Sequence, residues 1–235
     1  MKENIILLTP HGGKPGILSS RLGGVPYWDD TKEYPRSPVT GEPMAMLVQI
    51  DLDSIDDERL PDHGILQLFV DLSNKEKIYG TDLQMGRDGY RVVYHEDPVR
   101  TTRKKILELG AFDGDFEKYG DRSPANHFLK KPRFMEGKKE IVLKAKKKKQ
   151  RVPRPGTDDL PDFNAETRMF GSPAFLQEDP RETDPELAKY DTLLLELTSN
   201  GFYLFGDDGK LYVLISHEAL ERKDFSDVLV CFDCD

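Results

Sequence analysis

Cysteine is nearly missing from this chain: 235 residues hold two, Cys231 and Cys234, too few for the disulfide framework that staples small secreted domains. The pair forms a Cys-x-x-Cys. A thioredoxin-type site sets its first thiol at a helix N-terminus, which lowers that thiol's pKa, whereas here a single residue follows Cys234. Two thiolates also leave a tetrahedral zinc site half filled. The expectation is a C-terminal strand whose cysteines pack as small residues, with no metal and no cofactor assigned. Long apolar runs are absent too: Ile5-Ile6-Leu7-Leu8 and Leu193-Leu194-Leu195 fall far short of the roughly 20 residues a membrane helix needs. The N-terminus has one basic residue and a short apolar run broken by Pro10, without a small-residue cleavage site. A cytoplasmic location with no membrane partner is expected.

Familiar catalytic signatures are missing as well. Gly12-Gly13-Lys14-Pro15-Gly16 is glycine-rich but lacks the Gly-Lys-Ser/Thr ending of a phosphate loop, and there is no Gly-x-Gly-x-x-Gly. Asp113-Gly114-Asp115 begins like a calcium loop, yet Lys118 stands where an EF-hand requires glycine. The five histidines (His11, His63, His95, His127, His217) are scattered singly, with no His-x-x-x-His, and no Gly-x-Ser-x-Gly elbow exposes a serine.

What is present is a globular composition. Hydrophobic residues make up 37% and charged residues 33%, which argues against disorder throughout, and a chain of this length buries about 70% of its unfolded surface. The net charge of −9 conceals an island. Residues 130–154 carry twelve Lys or Arg against two acids, leaving 22 basic and 41 acidic residues elsewhere. Its densest part is Lys144, Lys146, Lys147, Lys148, Lys149 and Arg151. Clustered lysines release counterions from phosphate, but no aromatics interleave to stack bases, and lysine is a usual guard on a sheet edge. A solvated edge or linker is the favoured reading and nucleic acid the disfavoured partner.

Internal similarity is the strongest signal. Gly24-Val25-Pro26-Tyr27-Trp28 matches Gly171-Ser172-Pro173-Ala174-Phe175, and twenty-five residues after each glycine a polar residue, Gln49 or Glu196, interrupts an apolar strand. Glycine-led strands follow at Gly64-Ile65-Leu66-Gln67-Leu68-Phe69 and Gly201-Phe202-Tyr203-Leu204-Phe205, then strands at 90–95 and 210–215, the latter after an Asp-Gly turn. Short helices are expected at 102–109 and 217–222, with Ser216 as an N-cap. The chain thus reads as one α+β unit, mainly antiparallel sheet, in two related halves of about 19–125 and 165–235, joined by a basic and proline-rich segment at 130–164.

Arg21-Leu22-Gly23-Gly24-Val25-Pro26-Tyr27-Trp28, then Met46-Leu47-Val48-Gln49-Ile50-Asp51-Leu52, then the strand from Gly64, together with Gly206-Asp207-Asp208-Gly209 and the ending 224–234, resemble the YwqG-like family of bacterial proteins of unknown function. The resemblance spans most of the chain from about Ser19, outside the basic island. It implies a cytoplasmic α+β protein and no particular reaction. Phe170 stands where the family pattern often has a second glycine, so a looser turn is expected there.

Strand alternation places Gln49, Asp51 and Asp53 on one polar face and Val48, Ile50 and Leu52 on the core face. A pseudo-twofold would bring Gln49, Asp51, Gln67 and Glu196 toward one cleft, with His63 nearby. The Asp51–Glu196 pair would then do acid–base work or hold a cation; hydrogen-bonded structural residues are the competing reading. Tyr27, Trp28 and Tyr34 lie in a proline-rich loop, either as anchors for a partner or as a core lid. The leading expectation is a non-enzymatic protein-binding module, regulatory or toxin-neutralising, whose acidic surface engages a basic protein. A hydrolase or metal enzyme using the carboxylate cleft is the alternative, and nucleic-acid binding through the lysine run is the third.

Overall fold

The computed structural model describes residues 2–11, 14–73, 89–115, 133–143, 167–199 and 209–233. Ten strands run in chain order: β1 (Lys2–His11), β2 (Arg21–Leu22), β3 (Ala45–Asp51), β4 (Ile65–Val70), β5 (Tyr90–His95), β6 (Arg133–Leu143), β7 (Arg168–Met169), β8 (Thr192–Thr198), β9 (Lys210–Ile215) and β10 (Val228–Asp233). They form one sheet in the order β10-β9-β8-β7-β1-β6-β2-β3-β4-β5. Every pairing among the described residues is antiparallel. Among the described residues three short helices accompany them: α1 (Arg103–Glu108), α2 (Pro180–Thr183) and α3 (His217–Glu221). The α+β, mainly antiparallel class is therefore the one the sequence led us to expect. No described helix is long and apolar enough to cross a membrane.

The helices start where side chains can satisfy their free N–H groups: Thr102 accepts from Lys105 N, Asp179 from Arg181 N, and Ser216 from Ala219 N. The basic segment behaves differently from the expected edge or linker. Its residues 133–143 are β6, a central strand paired with β1 from Lys2↔Leu143 to His11↔Phe134 and with β2 on its other side. Charge disguised it, because Lys138, Lys139 and Glu136 point to solvent while Met135 is buried and Gly137 lies against Ile55, where a Cβ would meet the isoleucine side chain at 3.0 Å. The lysine run from Lys144 to Lys149 and Arg151 lies outside the described residues, as does the strand expected at 201–205.

Two strand sets follow one pattern. Arg21 faces Gln49 across β2 and β3, and Arg168 faces Glu196 across β7 and β8. A bulge falls between Met46 and Val48 in β3 and between Leu193 and Leu195 in β8. Next to these, β4 corresponds to β9 and β5 to β10, one strand later than the sequence spacing suggested, and α3 precedes β10 whereas α1 follows β5. Even the loop entries agree: Gly23 and Gly24 have φ of 62° and 82°, Phe170 and Gly171 of 65° and 84°. The tight turn survives without its second glycine. Phe170 tolerates the left-handed conformation, which costs roughly 1–2 kcal/mol, because its ring is 2% exposed in the core with the Arg59 guanidinium 3.8 Å above it.

Both halves turn one apolar face inward. Val48, Ile50, Leu66, Leu68 and Val92 from one set and Leu194, Leu195 and Val213 from the other line a common apolar space, and Tyr94 meets Phe225 at 5.6 Å. The opposite faces, which carry Gln49 and Glu196, are consequently turned away from each other. Neither is a solvated polar face: all of β3 except Asp51 is buried.

Candidate functional site

Beneath the loop that follows β2, polar groups form a closed ladder. Gln49 Oε1 accepts from Tyr27 N (2.8 Å) and Gln67 Nε2 (2.8 Å), Gln49 Nε2 donates to the carbonyls of Ile17 and Ser19, and Gln67 Nε2 also donates to Tyr27 O. His95 Nε2 donates to Gln67 Oε1 at 3.0 Å. The His95 ring lies edge-on to Tyr27 and Trp28, each at 4.9 Å. Burial, aided by the Lys32 charge, pushes its pKa down to about 4, with Asp29 opposing, so the imidazole is neutral near pH 7.

The same framework carries charge in the second half. Glu196, 2% exposed, accepts from Ala174 N (3.3 Å), Arg168 Nη2 (3.1 Å) and Lys210 Nζ (2.8 Å). Tyr212 donates to Ala174 O, as Gln67 does to Tyr27 O, and Thr198 N donates to Thr167 Oγ1, as Asp51 N does to Ser20 Oγ. A carboxylate held between two cations and a backbone N–H has its acceptor positions committed and is poorly placed to serve as a base.

A third group of polar residues sits at the β3–β4 turn and the end of β5. Tyr94 donates to His63 O. Burial raises its hydroxyl pKa, and so do the charges of Glu96, Asp97, Asp53 and Asp62. Asp51 joins them, its pKa raised by burial and then by Asp53, and His63 Nε2 lies 3.6 Å from Asp97. None of these five carboxylates forms an ion pair with Lys or Arg among the described residues. Nor does any described group of three His, Cys, Asp or Glu residues fit a metal ion.

The nominated residues thus separate. Gln49 and Gln67 meet in the buried ladder, Asp51 and His63 belong to the acidic face, and Glu196 lies on a face turned the other way. The single cleft joining Asp51, Gln49, Gln67 and Glu196 is not formed, because the apolar faces of the two strand sets pack between them. Tyr27, Trp28 and Tyr34 are 1%, 5% and 5% exposed, and their polar atoms are engaged: Tyr27 Oη accepts from Val99 N, Trp28 Nε1 donates to Lys32 O, and Tyr34 donates to Met44 O. They form the lid over the ladder and offer no ring face to a partner. Sequence reasoning passed over His95, Arg21 and the Arg168–Lys210 pair; the signal for Arg21 and Arg168 was their equal position before the paired glycines.

A search of curated proteins finds no match to this chain. A family model does match, over residues 20–234, which takes in the two strand sets, both ladders and the acidic face. The chain belongs to the family described as Domain of unknown function (DUF1963).

Proposed function

We propose that this protein is a binding module that takes a basic protein partner on the acidic face around Tyr94. The observation that supports it is the gathering of Asp51, Asp53, Asp62, Glu96 and Asp97 at one end of β3, β4 and β5 without Lys or Arg partners among the described residues. Like charges held together unpaired cost stability, and an opposite charge on a partner relieves that cost while steering encounter. A cytoplasmic location, membership of the YwqG-like group and descent of the two strand sets from one duplicated unit go with this reading. The test is affinity capture from lysate at low and high salt, with wild type beside the triple variant Asp53→Asn, Glu96→Gln, Asp97→Asn. A partner retained by the wild type at low salt, released at high salt and lost by the variant supports the proposal. Capture that is indifferent to the three substitutions counts against it.

A further inference from the structure

Arg21 is the feature that neither the acidic face nor the fold accounts for. The residue is 4% exposed. Its Nη2 donates to Ile17 O at 2.6 Å, while Nε is buried with no acceptor. No carboxylate pairs with it among the described residues, and burial alone lowers its pKa to about 10, which leaves it charged near neutral pH. A buried guanidinium without a counter-charge is among the costliest states of that side chain.

The second half of the chain shows what the fold can set beside such an arginine. Arg168 occupies the matching position, directly across from Glu196, and its Nη2 donates both to Ser172 O and to the carboxylate at 3.1 Å. Across from Arg21 stands Gln49. Its Oε1 is taken by Tyr27 N and Gln67, and its Nε2 competes with Arg21 for Ile17 O. The amide therefore supplies no charge and no free acceptor, so the first half keeps the cation and lacks the anion.

We propose that Arg21 anchors a site for a small oxyanion, a carboxylate or phosphate group that supplies the charge that Glu196 supplies to Arg168. A guanidinium presents five N–H donors in a planar fork matched to such groups, and among the described residues Arg21 commits a single one of its nitrogens. The site is independent of the acidic face, which repels anions.

The experiment is thermal melting of the full chain in sodium phosphate, sodium acetate and sodium chloride at matched ionic strength. A saturable rise in Tm with phosphate or acetate is expected, of roughly 3–6 °C at ten times the Kd, and the more effective salt identifies the oxyanion. Arg21→Gln should abolish the rise. Gln49→Glu, which places a carboxylate beside Arg21, should abolish it too. Where either variant fails to fold, the wild-type protein still decides: its arginine Nε–H resonances in a nitrogen-correlated NMR spectrum should include one that shifts saturably with the same salt. Equal melting in all three salts, a rise that persists in Arg21→Gln, or no saturable Nε–H shift would each overturn the proposal.

Discussion

Gln49 and Glu196 hold the same station in two strands, each accepting a backbone N–H from the loop that crosses above it, Tyr27 N in one case and Ala174 N in the other, over the same 22-residue separation. One framework thus accommodates a neutral ladder and a charged one. The charged version depends on its single anion. Glu196→Gln leaves Arg168 and Lys210 adjacent and mostly buried, with side chains 13% and 16% exposed, and removing one member of such a network costs about 3–5 kcal/mol. Urea denaturation should show that loss in the transition midpoint. A loss under about 1 kcal/mol would mean that water already screens the two cations.

Gly64 opens β4 with a φ of 101°, and a Cβ there would stand 2.4 Å from His95 O and 2.9 Å from Glu96 O. Both obstacles are backbone, so no side-chain rotation relieves them. Gly64→Ala should separate the start of β4 from the end of β5 and destabilise by about 3 kcal/mol or more, combining the strained backbone with the overlap. Gly41 is the control, since it also has positive φ but open space around it; Gly41→Ala should cost only about 1–2 kcal/mol. Equal melting temperatures for the two variants would show that the hairpin adjusts without penalty.

The Tyr94 hydroxyl reports on the acidic face. Its pKa is raised by burial and by Glu96, Asp97, Asp53 and Asp62, so neutralising Glu96 and Asp97 together should lower it, while reducing the repulsion that the face stores. A difference titration by phenolate absorbance, wild type minus the double variant, measures the change. The same substitutions leave the buried ladder untouched. A Tyr94 transition that fails to move would place the carboxylates too far from the ring for the face to act as a unit.

Much of the fold was legible because apolar alternation and glycine position are written locally. Gly24 and Gly171, the polar interruptions at Gln49 and Glu196, and the cap Ser216 each mark a backbone event that adjacent residues decide. What escaped depended on distant partners. β6 hides among lysines because only alternate positions need be apolar, and β1, with its run from Ile5 to Leu8, reads as a strand only once β6 is known. The correspondence of β4 to β9, rather than to 201–205, follows from the order of strands in the sheet, which spacing does not encode. The site reading failed for a similar reason. Face alternation correctly grouped Gln49 with Asp51, but whether two such faces meet or turn apart depends on which sides of the sheet are apolar enough to pack together.

His95 makes the first ladder sensitive to acid. In the unfolded chain its imidazole takes up a proton near pH 6.5, whereas in the folded protein burial among Gln67, Tyr27 and Trp28 delays uptake to about pH 4. Between those values the unfolded state binds more protons, so stability is fully present above pH 6.5 and falls as the pH drops toward 4. The slope approaches about 1.4 kcal/mol per pH unit, and the whole interval is worth at most roughly 3 kcal/mol. Protonation below pH 4 would also turn the ring's edge-on contacts with Tyr27 and Trp28 into contacts of a buried cation. Denaturant midpoints measured from pH 7 to pH 4.5 should therefore decline more steeply for wild type than for His95→Gln, which keeps a donor toward Gln67 and cannot titrate. Parallel declines in the two proteins would show that His95 is not the source of acid sensitivity in this window; Asp57 and Asp179, whose carboxylates lie below their ordinary pKa beside Arg59 and Arg181, lose their contribution only at lower pH.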